Sequence, residues 1–142
     1  MKTNQAGVDL IKHFEGCRLE AYVCPAGKLT IGYGTTRGVT SGMKITEAIA
    51  EKFLKEDLEK FGLQLNTLRL HLTDNQFSAL VSFIYNVGFG NFSNSTLRKK
   101  VQTNHNDPVI RNEFLRWNKG GGKVLPGLIA RRQAESDLYF TP

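Results

Sequence analysis

The sequence predicts an α+β fold that is mostly helical, in which a long helix joins a small β-hairpin lobe to a helical C-terminal lobe. Apolar residues recur at spacings of three and four over most of the chain, which is typical of helices with one buried face. The exception is residues 18–34, where two short runs flank Pro25-Ala26-Gly27 and predict a hairpin. A chain of 142 residues is long enough to form one domain that buries roughly 70% of its unfolded surface.

The first predicted helix ends at an acidic side chain. Apolar residues at a spacing of three predict a helix over residues 4–15, with a cap at Thr3 or Asn4 and an end at Gly16. Glu15 then lies in the last turn, where the negative end of the helix dipole and partial burial both disfavour a charge. A carboxyl that keeps its proton is suited to general acid catalysis of glycosidic-bond cleavage. The alternative is a solvated glutamate near a helix end.

The hairpin is expected to present two reactive side chains on one face. With Pro25-Ala26-Gly27 as the loop, Cys24 lies opposite Lys28. Because side chains alternate along a strand, Cys24 and Thr30 then point to the same side, unless a β-bulge breaks the parity. The hairpin therefore offers a thiol and a hydroxyl that face Glu15 across a cleft.

The spacing of these three residues resembles that of a known enzyme family. Eight residues separate Glu15 from Cys24, and five separate Cys24 from Thr30. This resembles the pattern of Glu, then Asp or Cys, then Thr in phage-type lysozymes (endolysins) of glycoside hydrolase family 24, lambdoid branch. Three further segments resemble the same family in the same order: TDNQFSALVSFIYNVG (73–88), FSNSTLRKKV (92–101) and RWNKGGGKVLPGLIARRQAESDLY (116–139).

The resemblance implies a lysozyme-like fold and muramidase activity, which is hydrolysis of the β-1,4 bond between N-acetylmuramic acid and N-acetylglucosamine in peptidoglycan. It implies that Glu15 is the general acid. Cys24 stands where many relatives have an aspartate that guides a water to the anomeric carbon, and Thr30 would hold that water. Attack by water on the face opposite the leaving group would invert the anomer.

Cys24 is the main departure from the family pattern. A thiol with a reference pKa of about 8.5 is mostly protonated near neutral pH, so it is a weaker base than aspartate. A cation at Lys28, opposite it, is expected to lower the pKa of the thiol. Three catalytic roles stay open for Cys24: base, water-positioning group or nucleophile. The structural alternatives are a buried strand cysteine and a disulfide with Cys17.

Two residues outside the triad are candidates for substrate binding. Asn86, in the motif YNVG, resembles a family position near the cleft whose side chain can bond sugar amides. The alternative is an ordinary residue at a helix C-terminus. Tyr33 lies between Gly32 and Gly34, and such small neighbours suit a strand that passes close to a ligand or another backbone.

Arg131 and Arg132 resemble a family arginine pair near the catalytic glutamate, and they complete the predicted substrate site. One of them is expected to pair with Glu15, because arginine suits partly buried carboxylates. The alternative is a pair with Glu135 on the same helix.

The chain is expected to form one domain over residues 1–142, with an N-terminal lobe at about residues 1–45, an interlobe helix at 46–71 and a helical lobe at 72–142. Thr46 is a candidate cap for the interlobe helix. The helix is indicated by apolar residues at helical spacing: Ile49, Phe53, Leu54, Leu58, Phe61, Leu65 and Leu68.

The helical lobe carries its own start signals. Thr73 and Gln76 predict a capping box, and Asp107-Pro108 predicts another helix start. Residues 120–122 are three glycines and predict a flexible loop, and a final helix is expected from about residue 127 to 139. The hairpin of residues 18–34 is the only sheet that the sequence indicates.

The net charge and the motifs of the chain limit the kinds of molecule that it is expected to bind. The chain carries 19 basic and 13 acidic residues, a net charge of +6, which attracts anionic polymers such as bacterial walls. Nucleic acid is also anionic, but no exposed aromatic-basic motif resembles a nucleic-acid module, so we expect no nucleic-acid partner. His13, His71 and His105 lack ligand spacing, so neither a metal nor another cofactor is predicted.

The N-terminal sequence MKTNQAGVDLIKHFEG has no uncharged apolar run, so we expect neither a secretion signal nor stable membrane insertion. A wall hydrolase of this kind would be made in the host cytoplasm and reach the wall through a holin-type release factor. A monomer is expected. Three other functions are open: a chitinase or chitosanase that shares Glu15, a catalytically silent wall-binding protein and a nucleic-acid binder.

Overall fold

Seven helices and two short hairpins form the protein, as seen in a computed structural model that describes residues 1–142. The mostly helical α+β prediction is confirmed. No helix combines the length and the apolar character needed to cross a membrane. The elements are α1 (Gln5–Glu15), β1 (Arg18–Val23), β2 (Leu29–Gly32), α2 (Glu47–Asn66), α3 (Asp74–Val87), α4 (Phe89–Ser93), α5 (Thr96–Thr103), α6 (Ile110–Leu115), β3 (Lys119–Gly120), β4 (Lys123–Val124) and α7 (Pro126–Tyr139).

The bounds of α1 follow from its caps. The side chain of Asn4 accepts a hydrogen bond of 3.0 Å from the backbone N–H of Gly7, so Asn4 is the N-cap. Gly16 has a φ of 66° and donates its N–H to the carbonyl of Lys12, which ends the helix. Glu15 is therefore the last helical residue, as the sequence predicts.

The first hairpin has the predicted register at its loop. The strands are antiparallel with Tyr22 opposite Thr30, and the N–H of Cys24 donates to the carbonyl of Lys28 at 2.9 Å. An irregularity lies between Arg18 and Tyr22, away from the loop, so Cys24 and Thr30 keep the parity that places them on one face.

Helix α2 is shorter than the sequence predicts. Thr46 caps it as expected, but the helix ends at Asn66 rather than at residue 71. Just after its end, the hydroxyl of Thr67 donates to the carbonyl of Gln64, and Arg69 adopts a φ of 51° that a helix does not allow. Apolar residues that follow the helix still pack against the core without being helical, and they are partly buried: Leu68, Leu70 and Leu72.

The glycine run at residues 120–122 forms part of a second hairpin, which the sequence did not indicate. Strands β3 and β4 pair antiparallel, with Lys119 opposite Val124. Gly121 and Gly122 form the turn with φ values of 59° and 79°, a combination that favours glycine at both positions. Two-residue strands carry too little pattern to be predicted from sequence.

Helix α3 lies at the centre of the core, in contact with α1, α2 and α7. The predicted capping box of Thr73 and Gln76 is present at its start. Phe83 on α3 is fully buried, and its ring makes edge-to-face contacts at centroid distances of 5.5–6.1 Å. The rings around it are those of Phe92, Phe114 and Trp117. The last turn of α1 is thereby fixed near α7, because α1 packs on both α3 and α7.

The central place of Phe83 leads to a stability prediction. Phe83→Ala should lower the free energy of unfolding by about 3–5 kcal/mol, because it leaves a cavity among three aromatic rings. Leu63→Ala, at a position 61% exposed, is the control and should change it by less than about 0.5 kcal/mol. Chemical denaturation followed by circular dichroism measures both, and similar losses in the two variants would contradict this account of the core.

Candidate active site

Glu15 is held between an arginine and a glycine. Its side chain is 19% exposed, and its Oε2 accepts a hydrogen bond of 2.7 Å from Nη1 of Arg131. Its other oxygen lies against Gly34, where an added Cβ would stand 2.6 Å from Oε1. Gly34 also has a φ of +87°, so both space and backbone conformation favour glycine there. One oxygen of the carboxyl is therefore paired with Arg131, and the other is confined by the backbone of Gly34.

Arg131 joins Glu15 to a second, buried carboxylate. Its Nε lies 3.3 Å from Oε2 of Glu135, and its Nη2 donates to the carbonyl of Ser82 at 3.1 Å. Glu135 is fully buried and also accepts a bond of 2.6 Å from the hydroxyl of Ser82. The two pairings that the sequence left as alternatives for the arginines therefore coexist, and Arg131 makes both of them.

Arg132 pairs with Glu135 rather than with Glu15. Its Nε lies 2.7 Å from Oε1 of Glu135, and its Nη2 donates to Oδ1 of Asn86 at 2.8 Å. The guanidinium also stacks over the ring of Phe83 at 4.9 Å. Burial lowers the pKa of Arg132, while the charge of Glu135 opposes that change. Arg132 is fully buried, so it contributes to the site by holding the side chain of Asn86 and not by facing the groove.

A groove of about 450 Å³ opens at Glu15, Asn86 and Arg131. The predicted substrate residue Asn86 is exposed, and its amide oxygen is engaged by Arg132. The other residues that line the groove were not predicted, and the Pro-Gly pair at the start of α7 is the sequence signal that marks the segment to which most of them belong. They are Phe14, Leu125, Pro126, Gly127 and Leu128.

Cys24 and Thr30 meet on the hairpin, outside the residues that line this groove. Cys24 is half-buried and Thr30 is 3% exposed. A hydrogen bond with the Thr30 hydroxyl, then one with the backbone of Lys28, lowers the pKa of the Cys24 thiol. The Thr30 hydroxyl also donates to the carbonyl of Lys28 at 3.0 Å. The expected effect of Lys28 thus comes from its backbone and not from its ammonium group.

Both cysteines are free thiols, and Cys17 is exposed, so a Cys17–Cys24 disulfide is not present. Cys17 instead lies beside Tyr33, whose pKa is raised by burial first and by Cys17 next. The ring of Tyr33 also faces the ammonium of Lys12 at 5.3 Å. Tyr33 does not line the groove at Glu15, so a substrate-binding role for it stays a prediction.

Tyr22 is a residue of the site that the sequence argument missed. It is half-buried, and the guanidinium of Arg18 lies 4.4 Å from its ring centroid. Burial raises the pKa of its phenol most, followed by the charge of Glu15, and Cys24 contributes in the same direction. The charges of Glu15 and Cys24 therefore both act on the pKa of this phenol. Strand alternation was the available signal, because Tyr22 shares a face with Cys24.

The comparisons with known proteins agree on one family. The phage lysozyme family model matches residues 12–135. The chain is 42% identical to an endolysin of Acyrthosiphon pisum secondary endosymbiont phage 1, over 98% of each chain. It is 45% identical to an endolysin of Bacillus phage B103, over 99% of this chain but 55% of that protein.

Solved structures extend the agreement to the fold. The muramidase domain of SpmX from Asticaccaulis excentricus superposes with a TM-score of 0.89 and 37% identity, over 99% of each chain. This likeness confirms the lysozyme-like fold that the sequence resemblance implied. With the family model covering most of the chain, the protein belongs to the phage lysozyme family.

Proposed function

We propose that this chain hydrolyses the β-1,4 bond between N-acetylmuramic acid and N-acetylglucosamine in peptidoglycan, with Glu15 as the general acid, and so causes bacterial lysis. The observation that carries the proposal is the fixed position of Glu15 at the groove wall, between Arg131 and Gly34. The endolysins and the muramidase domain among its relatives support the same activity.

The proton of Glu15 goes to the glycosidic oxygen as the bond from that oxygen to the anomeric carbon breaks. Glu15 is left as a carboxylate, and the 2.7 Å hydrogen bond from Arg131 stabilises that charge. Arg131 thus favours the state that follows proton transfer. Solvent returns a proton to Glu15 after the product leaves.

Cys24 supplies the second group of the reaction. A water held by Thr30 attacks the anomeric carbon and gives its proton to the Cys24 thiolate, which becomes a thiol. The lowered pKa of Cys24 increases the thiolate fraction near neutral pH. Attack from the face opposite the leaving oxygen inverts the anomer.

A peptidoglycan substrate implies binding to anionic wall polymers and a route to the wall. The net charge of +6 draws the chain toward anionic wall polymers. We further propose that the protein acts as a monomer, that it is made in the host cytoplasm and that a holin-type factor releases it to the wall. These three points rest on the sequence.

Glu15→Gln should leave the fold intact and lower the lytic rate by at least about a hundredfold, because the amide cannot supply the proton. Turbidity clearing of wall suspensions measures the rate, and circular dichroism checks the fold. Chitosan serves as a substrate without peptide stems. A folded Glu15→Gln protein that clears walls normally would refute the acid assignment, and faster hydrolysis of chitosan than of walls would refute the substrate.

Cys24→Asp should retain lysis, because a carboxylate is already ionised at neutral pH, whereas Cys24→Ala should lose about a hundredfold, because no group remains to accept the proton. Alkylation of thiols should inhibit the parent chain and spare the Asp variant. Cys17→Ala is the matched control, since the second thiol is exposed and lies beside Tyr33. A glycosyl adduct on Cys24, or retention of the anomer, would identify the thiol as a nucleophile instead.

Thr30→Val should move the rising limb of the pH–rate profile to higher pH. Thr30 lowers the pKa of Cys24, so its loss raises that pKa, and more alkaline solution is then needed to form the thiolate. In Cys24→Asp the same limb should move to lower pH. Profiles of the initial clearing rate test both shifts, and a limb that stays in place in both variants would remove Cys24 from the titration.

A further inference from the structure

Residues 31–35 form a tight turn that touches Glu15. Ile31 and Thr35 exchange both backbone hydrogen bonds, each 2.9 Å long, around two glycines with positive φ. Gly34 at the tip is the residue whose backbone lies against Oε1 of Glu15. The position of this turn therefore sets how far that oxygen can swing.

Two tethers fix the turn from the outside. The hydroxyl of Thr35 donates to Oδ2 of Asp57 on α2 at 2.8 Å, and both residues are buried. The hydroxyl of Tyr85 on α3 donates to the carbonyl of Tyr33. The two bonds hold the residues on either side of Gly34, and they come from helices that carry neither Glu15 nor Cys24.

Asp57 is a buried carboxylate, and its two hydrogen-bond partners show that it links α2 to the turn. It is 6% exposed, and its Oδ1 accepts a bond of 2.7 Å from Nε of Arg37. Its other oxygen is used by Thr35. Arg37 is exposed, so the bond to Thr35 is the buried polar link between α2 and the turn, beside the packing of Gly32 near Ala50.

We propose that Thr35 and Asp57 are positioning residues for the reaction, because they hold Gly34 against one oxygen of Glu15 while Arg131 holds the other. This inference rests on the proposed role of Glu15 as the acid. A loosened turn would let the carboxyl rotate away from the glycosidic oxygen, and misplacement on the order of 1 Å can cost about a hundredfold in rate. Thr35 and Asp57 do not line the groove, so substrate binding is not their task.

Thr35→Val removes the hydroxyl and keeps the shape of the side chain. We expect kcat on a soluble glycan substrate to fall at least tenfold, KM to stay within twofold, and Thr35→Ser to restore at least half of the parent kcat. Thr46→Val is the matched control, since it removes a threonine hydroxyl that caps α2 without touching the turn. It should leave kcat within twofold.

Tyr85→Phe removes the hydrogen bond to the Tyr33 carbonyl, and it tests the same inference if Thr35→Val does not fold. It should also lower kcat with little change in KM. Parent-like kcat in both variants overturns the inference, and so does an equal loss in Thr46→Val. Glu15→Gln is measured beside them: if it retains full activity, the proposed function fails, whereas an inactive Glu15→Gln together with active tether variants rejects only the positioning role.

Discussion

The ion pairs that Glu135 makes with Arg131 and Arg132 are the interaction on which both the core and the site depend. A fully buried carboxylate costs several kcal/mol unless it is paired and hydrogen-bonded. Glu135 meets that condition with two guanidiniums and the hydroxyl of Ser82. Because Ser82 lies on α3 and the arginines lie on α7, the cluster fixes these two helices to each other.

The same cluster extends to the surface through one residue. Arg131 contacts Glu135 in the core and Glu15 at the groove, so the position of the candidate acid is tied to the packing of α3 and α7. Glu15, Glu135, Arg131 and Arg132 carry no net charge when both carboxyls are ionised.

Much of this arrangement could be predicted from the sequence, because it depends on local signals. The end of α1 at Glu15 follows from Gly16, and the register of Cys24 and Thr30 follows from the three residues 25–27 that join Cys24 to Lys28. The length of α2 could not be predicted this way, since Leu68 packs against the core, partly buried, without being helical. Nor could the double role of Arg131, because its bond to Glu15 spans 116 positions of the chain.

The two halves of the proposed reaction are carried by different parts of the fold, which explains why the residues around Gly34 are so closely bonded. Glu15 belongs to a helix that packs on α3 and α7, whereas Cys24 and Thr30 belong to a hairpin that packs on α2. The separation between acid and water therefore depends on how the hairpin is held against the helices. Beyond packing, the buried bond of Thr35 to α2 and the bond of Tyr85 to the Tyr33 carbonyl join the end of the hairpin to two helices. The end of the hairpin is thus held by polar contacts outside the groove. The side chains that make these contacts have no direct part in the proposed reaction.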